Sequence, residues 1–170
     1  TDVLLTSFRP SALNKLGLDG STLSASFPHL CVVTIVGAPG ARAEEAGHDL
    51  TYMAEAGLVP DLNLPPTLYA DMAGALVASE AVLQAVLVRH TQGHGVTLEV
   101  ALSDAARWLA LPRHWGLTQP NGDVGGGHAG YRVYPCADGR VALAALEPHF
   151  ARTLCLVAGL APDAFEHMRT

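Results

Sequence analysis

The stretch Leu30-Cys-Val-Val-Thr-Ile-Val36, broken at once by Gly37-Ala-Pro-Gly40, decides the fold. A run this apolar and β-branched suits a strand covered on both faces, because a strand with one wet face would carry a polar residue at every second position. Gly37 and Pro39 end it. Upstream, Val3 to Phe8 reads as another short buried strand, closed by Arg9-Pro10. Helical turns then follow over Ser11 to Leu16, ending at Gly17, and over Ser21 to Ser26. Helical material between two such strands implies a βαβ unit and an α/β fold.

Downstream, a helix is expected from Asp49 to Glu55, stopped by Gly57. After a loop rich in Pro60, Pro65 and Pro66, a long helix runs from Asp71 to about His90. Its apolar residues fall on every side, which predicts that protein encloses it. Met72 to Val88 is interrupted by Glu80 and Gln84 and reads as a core helix, not a membrane span. Thr97 to Leu102 alternates like a strand, and Ser103-Asp104 is expected to cap a helix reaching roughly Trp115. Gly122 to Gly130 reads as a mobile glycine loop and a domain boundary, dividing the chain into 1–118 and 119–170. Beyond it, Tyr131 to Cys136 and Arg140 to Leu146 flank Asp138-Gly139, a strong hairpin signal. Glu147 then hands over to a helix whose first position suits Pro148 and which continues through Ala151 to Ala158, up to Gly159.

With 170 residues, 49% of them hydrophobic, the chain can bury a real core. Its net charge is −6, and nine arginines and one lysine are scattered along it, so no basic stripe follows a nucleic-acid backbone. Cys31, Cys136 and Cys155 are odd in number and sit in apolar contexts, as reduced thiols of a cytoplasmic protein do. No signal peptide is read. The sequence opens with Thr1-Asp2 directly on a strand-like run, without an initiator Met, which suggests a start inside a larger protein.

Three motifs carry chemistry: Ala46-Gly-His-Asp-Leu-Thr-Tyr52, Ala70-Asp-Met-Ala-Gly74 and Ala144-Ala-Leu-Glu-Pro-His-Phe150. Each puts an ionisable side chain at a helix start, where free amides and the helix dipole favour an anion, so Asp71 is expected to ionise readily. His48 is the one whose ordinary titration lies near neutrality. Structural readings compete, since Asp71 could be an N-cap, Asp49 the cap of its own helix, and Glu147 a cap before Pro148. A metal site is not expected: His90 and His94 have helical ligand spacing, but Gly93 and Gly95 oppose a helix there. Gly125-Gly-Gly127 lacks the strand and lysine of a phosphate loop, and no serine sits in a nucleophile elbow.

Read in order, Asp2-Val-Leu-Leu-Thr-Ser-Phe-Arg-Pro10, Leu16-Gly-Leu18, Gly47-His-Asp49, Tyr52, the Ala70-Asp71 helix start, and Tyr134-Pro-Cys-Ala-Asp-Gly-Arg140 with Ala145-Leu-Glu-Pro148 resemble the family III CoA-transferases, the CaiB/BaiF group. The order and spacing of several motifs across nearly the whole chain make the resemblance specific, and His48, Asp71 and Glu147 together bring it closest to the α-methylacyl-CoA racemases of that group. It implies a fragment of a Rossmann-like large domain, 1–118, with long connecting helices, and part of a smaller α+β domain, 119–170. Family members are roughly twice this length, and their N-terminal Rossmann-like region has no counterpart here. Without that region, the strand at Val3 to Phe8 is expected to lack sheet neighbours.

The resemblance also implies roles. In the family's racemases an aspartate and a histidine exchange the proton α to a thioester, a glutamate supporting the histidine; the matching residues are Asp71, His48 and Glu147. In its transferases the same aspartate is a nucleophile. Arg9 and Lys15 match the stretch that contacts CoA phosphates, with Lys15 standing where arginine is common and so lacking the bidentate fork. Gly47, Asp49 and Tyr52 match positions lining the pantetheine channel. No tightly bound cofactor is implied, coenzyme A entering as part of the acyl-CoA substrate. Family dimers interlock, which by analogy sets Glu147 of one copy opposite His48 and Asp71 of the other. The outcomes expected are 2-methylacyl-CoA racemisation, with acyl-CoA:carboxylate CoA transfer through Asp71, or a non-catalytic fragment, as alternatives.

Overall fold

The computed structural model describes residues 1–164. They divide into two compact units, the first covering residues 1–110 and the second beginning at Leu111. This division falls ahead of the glycine loop, from which the sequence alone predicts it at 118/119.

In the first unit the run around Cys31 behaves as its composition requires. β2 (Cys31–Val36) is the central strand of a three-stranded parallel sheet, between β1 (Val3–Thr6) and β3 (Thr97–Ala101). Val3 lies opposite Cys31 on one side, and Val32 lies opposite Thr97 on the other. β1 therefore does have a sheet neighbour, contrary to expectation, because β2 satisfies its inner edge within this chain. Between β1 and β2 come α1 (Pro10–Lys15) and α2 (Gly20–Ser26), the latter capped by Asp19, which accepts the N–H of Ser21 at 3.1 Å and of Thr22 at 3.0 Å. A short 3-10 turn over Gly40–Glu44 follows β2 and leads to α3 (Asp49–Glu55) and α4 (Tyr69–Gln92).

α4 lays small residues on the sheet. Ala78, Ala81 and Ala85 are buried against Cys31, Val33 and Val100, forming the main core. Near its start, Gly74 lets the helix pass close to Leu102, since a β-carbon there would collide with that side chain. The expectation that protein encloses the whole helix is corrected: Met72, Leu76, Leu83 and Leu87 are all more than 60% exposed in this chain. Their spacing gathers them on the side away from the alanine ridge. By length and composition alone α4 could cross a bilayer, but its alanine face is committed to the sheet.

β3 leads directly into α5 (Leu102–Leu109), so Ser103 and Asp104 lie inside the first turn and do not cap it. The helix expected to reach Trp115 stops at Ala110, and α6 (Leu111–His114) is a separate short helix of the second unit, with Pro112 near its start. That unit continues with a wide helical turn over Asp123–Gly127, where an irregular loop was expected; Gly126, at φ +103°, supplies a conformation that only glycine adopts freely. β4 (Tyr131–Cys136) and β5 (Gly139–Ala144) form the expected hairpin. Its loop is one residue earlier than the sequence signal suggested. Cys136 pairs with Gly139, leaving Ala137-Asp138 as the turn, and Gly139 does not have positive φ. α7 (Pro148–Ala158) begins with Pro148 and ends at Gly159, whose φ is +68°.

The close alanine contact sets an expectation for stability. Ala85→Leu, at a fully buried position, should lower the unfolding free energy by about 1–3 kcal/mol through overpacking. Gln84→Ala, next to it on the exposed side, should change stability by less than about 0.5 kcal/mol in the same denaturant titration.

Candidate functional site

The three parallel strands end together, and in open α/β sheets that carboxyl edge is where ligands sit. A cavity of about 200 Å³ opens there, lined by Ser7, Arg9, Gly37, Glu45, Gly47 and Tyr52 among others. Arg9, Gly47 and Tyr52 are thus gathered on one cavity. Lys15 is at the far end of α1 and does not line it. Its charge acts instead on Glu44, whose carboxylate accepts the backbone N–H of Ser11 at 2.6 Å and its hydroxyl at 2.8 Å. Those bonds, first the backbone one, hold Glu44 below the usual carboxylate range, with Arg9 and Lys15 adding smaller contributions.

Tyr52 closes the inner wall. Its ring passes between two glycines of different elements: a β-carbon on Gly47 would lie 2.5 Å from the phenol oxygen and 2.7 Å from the ring, and one on Gly37 would also collide with that oxygen. Close approach, and not backbone conformation, requires glycine at both positions. Burial pushes the Tyr52 phenol up, Asp71 and Glu55 push it further, and Arg9 opposes them. Tyr52 therefore senses charges on both the cavity side and the α4 side of its ring.

The heads of α3 and α4 meet beside it. His48 precedes α3, is exposed, and accepts the N–H of Thr51 on its carbonyl at 2.8 Å. Asp49, the first residue of α3, is buried although charged, and its Oδ1 accepts the backbone N–H of Asp71 at 3.0 Å. Asp71 is not an N-cap, since α4 begins at Tyr69 and makes Asp71 its third residue. Leu68, in the capping position, offers no side-chain acceptor, so the carboxylate of Asp49 fills that need from another helix. Nor does Asp71 ionise more readily than usual. Partial withdrawal from water raises its pKa, Asp49 raises it further, and His48 pulls it back. The helix-dipole expectation fails because partial desolvation outweighs it and because Asp49, whose carboxylate already engages the Asp71 amide, adds a second anion.

Glu147 belongs to the second unit. It stands immediately before α7, is exposed, and makes no side-chain bond to the helix it precedes. Sequence reasoning passed over Gly37 and Glu45 as site residues. The available signal was the glycine ending the central strand, since that position of a parallel sheet faces the ligand edge. Ser103, also unremarked as a site residue, donates its N–H to the carbonyl of Gly37 at 2.9 Å. Its hydroxyl is buried without a partner. Among the described residues no cluster of His, Cys, Asp and Glu is arranged to hold a metal ion.

A parallel sheet with a cavity at its carboxyl edge, and the heads of α3 and α4 carrying His48, Asp49 and Asp71 outside the lining of that cavity, define an α/β fold. The chain belongs to CoA-transferase family III, whose family model matches residues 1–169. It is 33% identical to a CaiB/BaiF CoA-transferase family protein of Caenorhabditis elegans over 91% of this chain and 51% of that protein. It is 30% identical to a probable fatty acyl-CoA transferase of Mycobacterium tuberculosis, over 99% of this chain and 49% of the relative. The α-methylacyl-CoA racemase of Mus musculus is also 30% identical, over 94% and 46% respectively. A crystal structure of a hypothetical protein from Mycobacterium tuberculosis superposes with a TM-score of 0.81 at 28% identity, covering 99% of this chain and 48% of that one. The chain thus spans about half the length of the relatives it matches.

Two outcomes follow. Gly47→Ala should displace Tyr52 and cost about 1–3 kcal/mol of stability. In a double-mutant cycle Tyr52→Ala should remove most of that penalty, leaving a coupling above about 0.5 kcal/mol. Asp71 has a raised folded-state pKa, so relative to the unfolded chain it favours folding at low pH and loses that contribution as pH rises through its own midpoint. Asp71→Asn should therefore stabilise the chain at neutral pH, with an advantage that fades on acidification below the ordinary carboxylate range, as measured by unfolding across pH.

Proposed function

We propose that the protein carrying this chain is a cytoplasmic enzyme that removes and returns the proton α to the thioester of a 2-methylacyl-CoA. The single observation that carries this reading is geometric: His48 and Asp71 stand at the heads of α3 and α4, which are joined by the Asp71 N–H donating to the Asp49 carboxylate at 3.0 Å. Racemisation needs two groups that can each give or take a proton around one carbon. A carboxyl whose proton affinity is raised from its ordinary value is better matched to that task than a fully exposed one. In this reading His48 serves one face and Asp71 the other, and no redox or metal chemistry is called for. Glu147, supplied by the second copy of an interlocked homodimer, orients His48.

Arg9 supports the substrate assignment, since it lines the cavity as a positive group suited to an anionic ligand. Lys15 contributes a second charge at the outer end of α1, toward the phosphates. Tyr52 and Gly47 form the wall against which the pantetheine arm runs. The racemase relative in Mus musculus agrees with this assignment.

A second reading, CoA transfer with Asp71 as nucleophile, is favoured by its exposure at the surface and by the fatty acyl-CoA transferase among the relatives. Incubating the full-length protein with a 2-methylacyl-CoA in deuterium oxide separates the two. Racemisation predicts wash-in at the α-carbon, falling about 10²–10⁴-fold in His48→Ala and in Asp71→Asn. No exchange, together with an Asp71 acyl adduct trapped by hydroxylamine, establishes transfer instead.

A further inference from the structure

The heads of α3 and α4 are joined by a bond that the acid–base reading leaves unused. Asp49 is 7% exposed, yet no cation is paired with it among the described residues. A charged side chain withdrawn this far from water needs compensating hydrogen bonds. Its Oδ1 finds one in the backbone N–H of Asp71 at 3.0 Å. That N–H is one of the first-turn amides of α4 that have no partner within the helix. α3 is itself fixed beneath, because Tyr52 and Met53 pack into a cluster with Ala56, Ala70, Ala106 and Ala110. The bond therefore runs from a rigid helix to the residue whose side chain does the chemistry in the reading above.

We propose that Asp49 is a positioning residue for Asp71, its carboxylate gripping the Asp71 amide so as to fix the first turn of α4 and the direction from which the Asp71 carboxyl emerges. This role rests on the Asp71 reading for its catalytic meaning but not for its physical content. It differs from a contact between Asp49 and substrate, since the Asp71 amide engages the Asp49 carboxylate; like His48 and Asp71, Asp49 stands outside the cavity lining.

The negative charge of Asp49 also favours the protonated form of Asp71. Among the described residues, the titratable groups coupled to Asp71 are on α3 or just before it: Asp49, His48 and, through its own response to Asp71, Tyr52. Charges on the other elements packed against α4 are engaged elsewhere. Asp104 on α5 pairs with Arg107 at 2.9 Å, Glu99 on β3 accepts the N–H of Gly40 at 3.1 Å, and Asp2 before β1 pairs with Arg89 at 3.1 Å. Removing the Asp49 charge is therefore a local perturbation.

Asp49→Asn keeps a carbonyl acceptor for the amide while deleting the charge, and Asp49→Ala deletes both. Hydrogen exchange on the unaltered protein comes first: the Asp71 amide should be protected, although a third-position helix amide ordinarily exchanges freely. Asp49→Ala should speed its exchange about fivefold or more, the equivalent of a lost cap, with Asp49→Asn retaining most of the protection. The carboxyl carbon resonance of Asp71, assigned by its loss in Asp71→Asn, should titrate at lower pH in Asp49→Asn than in the unaltered protein. The low-pH limb of α-proton exchange should move in the same direction. An unprotected Asp71 amide, or an Asp71 titration unmoved in Asp49→Asn, overturns the proposal. Protection and titration behaving as stated in a protein that exchanges no α-proton would reject the racemase reading alone and leave this one standing.

Discussion

Parallel pairing of β2 on both edges is the constraint from which the first unit takes its arrangement. A strand hydrogen-bonded on each side and covered on its faces cannot slip by a residue without exchanging its core and exposed sets. The ends of β1, β2 and β3 therefore align, and whatever follows each strand is delivered to the same edge. Arg9 follows β1, Gly37 follows β2, and Leu102 follows β3; all three line the cavity. The site is thus assembled by strand register before any side chain contributes specificity.

Around that edge, helix starts are satisfied by carboxylates borrowed from elsewhere in the chain. Glu44 holds the first turn of α1, and Asp49 holds the first turn of α4. α2, by contrast, is capped by its own preceding residue, Asp19. Such long-range caps bind segments that the sheet alone would leave independent. Asp49 also adds negative charge beside Asp71, and together with partial withdrawal from water, the larger effect, this moves its proton affinity opposite to the direction a helix start would give.

Much of the framework could be read from the sequence because local patterns coincide with tertiary demand. The unbroken apolar run of β2, the helix from Asp49 to Glu55 and the hairpin around Asp138 all arise from short-range signals, and family membership followed from the order of several motifs. What escaped was tertiary in origin. That the Asp49 carboxylate reaches the Asp71 amide depends on how α3 and α4 meet, which no spacing encodes. That Gly37 and Gly47 flank one ring is a property of three separated segments. The all-round apolar character of α4 suggested enclosure, whereas only its alanine side is covered within this chain. Ala137-Asp138 forms the turn because the pairing of Cys136 with Gly139 overrides the local Asp-Gly preference.

The alanine ridge of α4 has an entropic consequence. Alanine has no side-chain rotamers to surrender, so docking Ala78, Ala81 and Ala85 onto the sheet restricts little beyond the backbone itself. A seam built from leucines would hold several interconvertible packings, each shifting the helix axis slightly. With alanine methyl groups and the χ1-stiff Val82 on this face, the helix has few alternative seats, and the carboxyl at its head is aimed mainly by the main chain.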